Sequence, residues 1–290
     1  MNNSNSQVAG KTCLITGANS GIGKVTARAI AAIGARVTIV CRNRERGDTA
    51  LEEIRRSSGN PSVELMTCDF SSQSQIRRLA EEFISKHERL DLLINNAGLM
   101  MNTRVLTEDN LEMTFAVNHL GYFLLTNLLL DLIKRSAPAR IVNVASLAHQ
   151  GGHINFDDLQ SEREFRSMPA YRQSKLGNIL FTYELARRLE GTGVTVNCLH
   201  PGVIATNIAQ RFPWFIRIPF KLFVTGVEKG AETSIYLATS PEVEGVTGKY
   251  FDNKTETRSS RESYDEEVAC RLWGVSEELT GLKKEQTVRL

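Results

Sequence analysis

From Lys11 onward, short runs rich in Val, Ile, Leu and Thr alternate with longer stretches whose apolar residues recur at helical spacing, and this rhythm constrains the fold more than any other property of the chain. Strand, helix and strand in succession form the βαβ unit, in which the strands lie parallel and the helices cover the sheet. The runs predict strands at about 12–16, 36–41, 63–68, 91–95, 140–145, 194–199 and 248–251, with helices between them. The fold class is therefore α/β. No internal repeat, Pro-rich linker or low-complexity block interrupts the 290 residues, so they read as one domain over 11–251. A polar segment at 1–10, expected to be disordered, precedes it, and a C-terminal extension at 252–290 follows.

The first strand-to-helix turn is Thr16-Gly17-Ala18-Asn19-Ser20-Gly21-Ile22-Gly23. Glycines there let the backbone approach a pyrophosphate, whose charge a helix N-terminus favours; the alternative is a tight turn and nothing more. The second strand ends in Cys41-Arg42-Asn43 without the acidic residue that accepts a hydrogen bond from an adenosine ribose 2′-hydroxyl. Arg42 suits a 2′-phosphate instead, which favours NADP over NAD; otherwise it is a solvated loop residue. The third strand closes on Asp69 and Phe70, where Asp69 either meets the adenine amino group or caps the following helix. After the fourth come Asn95-Asn96-Ala97-Gly98, small enough for cofactor approach or for plain packing, and then Leu99, Met100 and Met101, candidates for an apolar substrate mouth or ordinary core.

Asn118, a lone amide in an apolar helical run, must find partners, and either serves the helix or positions a water and an ammonium. Ser146 stands at the carboxyl end of the fifth strand, the end at which parallel sheets bind ligands. Tyr171 and Lys175 are four apart on one helix face, where an ammonium favours tyrosinate and draws the phenol pKa towards neutrality.

These motifs, in this order, resemble the short-chain dehydrogenase/reductase family over roughly Lys11 to Phe251, and phrases such as Cys41-Arg42-Asn43 and His200-Pro201-Gly202-Val203 resemble its retinol-dehydrogenase-like subgroup. The resemblance implies a doubly wound, Rossmann-type sheet of seven parallel strands. It implies a catalytic set of Asn118, Ser146, Tyr171 and Lys175, with Tyr171 as general acid or base, Ser146 on the substrate oxygen, and Lys175 on the nicotinamide ribose. The dinucleotide would lie along Gly17, Asn19, Ser20, Gly21, Ile22 and Gly23. It would continue past Arg42, Asn43, Asp69 and Phe70, then Asn95, Ala97 and Gly98, and end against Tyr171, Lys175, Pro201, Gly202, Val203 and Thr206.

A net charge of +2 with 23% charged residues gives no reason to expect nucleic acid; the expected partner is a small lipophilic carbonyl or alcohol. The aromatic stretch within 207–224 is a candidate substrate lid, core segment or weak membrane-surface contact. The five cysteines form no CxxC pair and suit a reducing compartment, with cytoplasmic localisation expected. The longest apolar run, Leu120 to Ile133, is interrupted by Asn127 and Asp131, so no transmembrane segment is expected. Helices around 107–135 and 169–190 are apolar on more than one face, which predicts a homodimer formed through them.

Overall fold

The computed structural model describes residues 8–202 and 226–282. Val203, Thr206 and the aromatic 207–224 stretch lie outside them. Strands β1 (Thr12–Thr16), β2 (Arg36–Cys41), β3 (Val63–Thr67), β4 (Leu92–Asn95), β5 (Ala139–Val144), β6 (Val194–His200) and β7 (Lys249–Asp252) are parallel and follow the order β3-β2-β1-β4-β5-β6-β7. The expectation of seven strands needs one correction. An eighth, β8 (Thr255–Glu256), turns back antiparallel on β7 through Asn253 and Lys254, both at positive φ (49° and 65°). Two left-handed residues between strands make the tight hairpin turn whose twist matches the sheet.

Alternate residues of each central strand feed two different cores. On β1, Leu14 faces one side with Leu93, Ile141 and Val196, while Cys13 and Ile15 face the other with Ile39, Ile94 and Val142. Burial on both faces is why these strands are continuously apolar. The second side is covered by helices α1 (Gly21–Ala32), α2 (Arg44–Ser58) and, from beyond the undescribed segment, α6 (Val227–Thr239). The first is covered by α3 (Gln73–Lys86), α4 (Met113–Arg135) and α5 (Ser167–Arg188). Because β4 lies beside β1 and not beside β3, the winding reverses there and leaves a crevice at the carboxyl ends of the two strands.

Two helices on the first side are unusual. At 23 residues α4 is long and apolar enough to span a bilayer, yet 78% of its most apolar window is buried inside the protein, the mark of a core helix. Its ladder widens into a π turn over Ala116–Leu120, where Gly121 N–H reaches back to Ala116 C=O. Helix α5 is buried almost without interruption from Gln173 to Ala186 because it is covered twice, by the sheet and by α7 (Glu266–Thr280). Trp273 of α7 packs edge-on against Phe123 of α4, with ring centroids 4.9 Å apart, and against Phe181 of α5 at 5.8 Å. The Arg188 guanidinium lies 4.1 Å from the Trp273 ring, and Ser276 Oγ is 3.0 Å from His119 Nε2. Part of the apolar surface from which a dimer was expected, around His119, Phe123 and Phe181, is thus covered by the chain's own C-terminal extension. Burial of a side chain such as Trp273 contributes on the order of 2–3 kcal/mol, which makes the extension part of the core.

All five cysteines are free; four are buried and Cys270 is exposed. Cys13, Cys41 and Cys198 lie in strands and Cys68 directly after β3, so they serve as small apolar packing residues.

Candidate active site

The described site residues gather at the carboxyl ends of the strands. The β1–α1 turn is pressed against the residues after β4: a Cβ on Gly17 would come 2.8 Å from Ala97 Cα, and one on Gly23 would come 2.5 Å from Asn96 Nδ2. Only glycine permits that approach. Asn96, left out of the expected cofactor set, does the holding, satisfying backbone groups by donating from Nδ2 to Thr16 O (2.8 Å) and Gly17 O (3.2 Å). Gly21, at φ +56°, faces open space, and the first intrahelical bond of this turn runs from Lys24 N to Ser20 O. No side chain caps α1. Its first amides, on Gly21, Ile22 and Gly23, are therefore left for an anion, and Asn19 and Ser20 stand at the mouth of that cradle.

Beyond β2, Arg42 is 72% exposed, with its guanidinium 3.6 Å from the Asp69 carboxylate after β3. Neighbouring groups occupy Asn43 and Lys24: Asn43 caps α2 by accepting from Arg46 N (2.8 Å), and Lys24 pairs with Glu53 (2.6 Å). Asp69 also accepts from Ser71 N and Oγ, so it orders its own turn whatever else it binds. Phe70 is buried against Gly121. The Asn95 side chain points into the core, where Nδ2 donates to Thr126 Oγ1 (2.9 Å) and Asn143 Oδ1 (2.8 Å); the neighbouring Ala97 and Gly98 are the more open part of that turn.

Asn118 sits within the π turn of α4 and is fully buried. Its side chain imitates a strand partner: Oδ1 accepts from Leu99 N and Nδ2 donates to Leu99 O, both at 2.8 Å. A third bond runs from Nδ2 to Ser174 Oγ (3.0 Å), one position before Lys175. The amide thus fixes the extended Leu99 segment to the catalytic helix. The Lys175 ammonium donates to Val144 O (3.0 Å), not to Asn118. Gly98 leaves the lip of the site open, since a Cβ there would lie 3.3 Å from Asn118 Oδ1 and 3.6 Å from Lys175 Nζ.

Tyr171 lies one turn before Lys175 on α5, with the ammonium 5.8 Å from its ring centroid and the Ser146 side chain near enough to lower its pKa. The expectation that the ammonium draws this phenol towards neutrality is opposed by burial, which dominates at Tyr171. Burial raises the Tyr171 pKa, and the Ser146 side chain opposes that rise without cancelling it. Burial likewise lowers the Lys175 pKa to about 8. Desolvation disfavours both charges, so the resting pair holds a protonated phenol, which is the form that donates a proton. Tyr122, which sequence reasoning missed, completes the floor: it is fully buried, its ring lies 5.9 Å from Lys175 Nζ, and its hydroxyl has no hydrogen-bond partner among the described residues. Its spacing of four from Asn118 was the available signal.

Ser146 follows β5 in extended conformation and heads the short 3₁₀ turn Leu147–Gly151, its Oγ accepting from Ala148 N at 3.2 Å. The hydroxyl still has its proton to donate. Leu147, 41% exposed, stands next to it. The half-buried Leu99, Met100 and Met101 run past Asn118 to the first turn of α5, where Ser167 Oγ donates to Met101 O. Pro201 and Gly202 follow β6, both half-buried.

A serine, a phenol and a buried ammonium at the strand ends, beside a glycine turn with free amides, form a site that can hold a dinucleotide and protonate an oxygen. A sequence model of the short chain dehydrogenase family matches residues 11–213. Retinol dehydrogenase 14 of Homo sapiens is 48% identical over 295 residues, covering 95% of this chain and 88% of that protein. Among solved structures, an uncharacterised protein from Mycobacterium paratuberculosis aligns with a TM-score of 0.77 at 35% identity, over 94% of each chain. An actinorhodin polyketide ketoreductase with NADPH aligns with a TM-score of 0.68 at 27% identity, over 83% of this chain and 95% of that one. With the family match spanning most of the sheet and a close relative aligned nearly end to end, the chain belongs to the short-chain dehydrogenase/reductase family, in its retinol-dehydrogenase-like branch.

Proposed function

We propose that this oxidoreductase uses NADP and interconverts a lipophilic alcohol, retinol or a molecule of similar character, with its aldehyde or ketone. The observation that carries the reading is the Ser146–Tyr171–Lys175 arrangement, in which a buried ammonium lies 5.8 Å from the ring of a phenol whose pKa the nearby Ser146 hydroxyl lowers against the rise caused by burial. The dinucleotide supplies or takes the hydride. The α1 amides and the glycine turn hold its phosphates, and Arg42 turns from Asp69 to a 2′-phosphate, a charge-assisted contact that a strongly exposed guanidinium makes readily.

Ser146 Oγ donates to the substrate oxygen and fixes it beside Tyr171. Tyr171 gives that oxygen a proton in reduction and takes one in oxidation. The Lys175 ammonium stabilises the tyrosinate left after donation and reaches the ribose hydroxyls. The protonated resting phenol is the form that donates in reduction, while the net direction follows the equilibrium and the cofactor ratio. The apolar Leu147 and Met100–Met101 surroundings suit a hydrocarbon substrate, as do the names of the related retinol dehydrogenases. The five free thiols suit a reducing compartment such as the cytoplasm.

The test combines NADPH and NADH binding, followed by quenching of intrinsic fluorescence, with turnover of all-trans-retinal and a panel of lipophilic aldehydes and ketones. NADPH should bind more tightly than NADH, and Arg42→Ala should erase roughly tenfold or more of that preference. Tyr171→Phe should bind NADPH normally and lose about a thousandfold or more in kcat. Equal affinity for the two dinucleotides would overturn the Arg42 assignment. Unchanged turnover in Tyr171→Phe would overturn the mechanism and leave a dinucleotide-binding protein without this chemistry.

A further inference from the structure

The peptide unit that follows Ser146 is gripped from both edges by imidazoles. On one edge, the Ser146 carbonyl oxygen is 2.6 Å from His149 Nδ1. On the other, the Leu147 N–H donates to His200 Nδ1 at 3.1 Å. A carbonyl only accepts and an amide N–H only donates, so the partners fix the tautomers. His149 carries its proton on Nδ1, and its Nε2 accepts from Ser260 N at 3.0 Å. His200 presents a bare Nδ1. Each ring is neutral in this arrangement, since a second proton would set an N–H against an N–H at Ser260 or at Leu147.

Neither ring is an incidental packing residue. His149 is fully buried in the middle of the 3₁₀ turn, 4.9 Å from the Tyr250 ring, and His200 is 7% exposed at the last position of β6. Burial lowers both pKa values. The charged groups around them pull in both directions. Glu262 favours the cation of His149 and Asp252 that of His200, while Lys175 and the other imidazole disfavour protonation of His200. Arg172 of α5 packs at Gly151, on the far end of the same turn.

We infer that His149 and His200 are positioning residues for Ser146: holding the carbonyl and the N–H of the Ser146–Leu147 peptide, they fix its plane and so aim the Ser146 hydroxyl at the substrate oxygen. Ser146 has left the ladder, since the last bond before it runs from Ala145 N to Leu199 O; beyond it the only backbone bond to this peptide among the described residues is the weak turn bond from His149 N to Ser146 O at 3.2 Å, and the two imidazoles supply the rest of its hold. The inference rests on the proposed role of Ser146. Through Ser260 it also ties the C-terminal extension to the site, since Ser260 belongs to a segment whose Ser259 Oγ meets Tyr183 Oη of α5 at 2.7 Å.

The decisive experiment is a double-mutant cycle on the full chain, with NADPH oxidation by all-trans-retinal as the activity and imidazole ¹⁵N NMR as a readout that needs no substrate. In the wild type, NMR should show His149 protonated on Nδ1 and His200 on Nε2, both neutral at pH 7. His149→Phe and His200→Leu should each lower kcat roughly tenfold to a hundredfold, the scale of a small misplacement of a catalytic group. NADPH affinity in His149→Phe should stay within about twofold. His149→Asn, whose side-chain N–H can still serve the Ser146 carbonyl, should recover most of the loss. On a Ser146→Ala background His149→Phe should cost nothing further.

An additive loss on that background, full kcat in a folded His149→Phe, or the opposite tautomer for His149 would each overturn the positioning role. Full activity in Ser146→Ala alone would overturn the assignment of Ser146 and this inference with it, which separates the two failures.

Discussion

At the amino ends of β1, β4 and β5 the buried polar groups among the described residues are paired with one another. Asp91, its side chain 4% exposed, accepts from Thr12 N, Lys11 and Arg89. Ser136 receives Leu90 N and donates to Leu132 O, and the Arg140 guanidinium donates to two carbonyls of the α6 end, Leu237 and Ser240. At the carboxyl end of the sheet the bonding is left incomplete. Lys175 donates, among the described residues, only to Val144 O; the Tyr122 hydroxyl has no partner; α1 is uncapped; and Arg42 faces solvent. Polar satisfaction stabilises the first end, and its absence leaves the second end free to bind and to react.

Exchanging the two ends breaks the comparison if it is wrong. The largest effect belongs to Lys175→Met, which should lower kcat about a hundredfold, about 2.7 kcal/mol of transition-state stabilisation, while leaving the melting temperature unchanged or raised. Burial holds the Lys175 pKa at about 8 against an ordinary 10.5, so the cost of the buried ammonium is complete below pH 8 and is relieved as pH rises towards 10.5. In cofactor-free protein any stability advantage of Lys175→Met should therefore shrink across that range, as followed by urea unfolding. A variant that melts well below the wild type would show that the lysine belongs to the stabilising class.

Asp91→Ala is the mirror case, costing about 2 kcal/mol of unfolding free energy with kcat in the folded fraction unaltered. Burial opposes the Asp91 charge, but bonds from Arg89, Thr12 N and Lys11 outweigh it and lower the pKa. Its contribution is accordingly present above the ordinary carboxylate range and lost as pH falls through the depressed value, so the gap between wild type and variant should close in acid. The smallest effect is Tyr122→Phe, which removes an unpaired buried hydroxyl and should change stability by no more than about 1 kcal/mol, in the favourable direction, with kcat within about twofold. A larger fall in kcat would show that this hydroxyl serves the reaction.

The sequence carried the strands and the strand-end residues clearly, because continuous β-branched runs and glycine spacing report local geometry. It was silent where partners are distant. Asn118 was legible as an amide in need of bonds, but its partner Leu99 lies in an irregular segment with no periodicity to announce it. Trp273 and Ser276 gave no sign that they would cover Phe123 and His119, since apolar positions on a helix say that a face is buried and not by what. That is why the sequence could not show that part of the apolar surface of α4 and α5 is covered within the chain. His149 and His200 likewise looked unremarkable, 51 positions apart, until the sheet brought β5 and β6 side by side. Val203, Thr206 and the 207–224 lid belong to residues the structure does not describe.

The two-residue strand β8 carries a consequence for life in a crowded cell. An open sheet ends in a row of backbone groups that a neighbouring molecule can extend, and β7 would present that row next to a nearly all-apolar core. The short return of Thr255 and Glu256 occupies it, and the Lys249–Glu256 ion pair (2.8 Å) and the Lys254–Glu232 pair (2.9 Å) surround it with charge. The hairpin therefore caps the sheet edge farthest from β3 with a short, charged return that leaves little of it for a further strand.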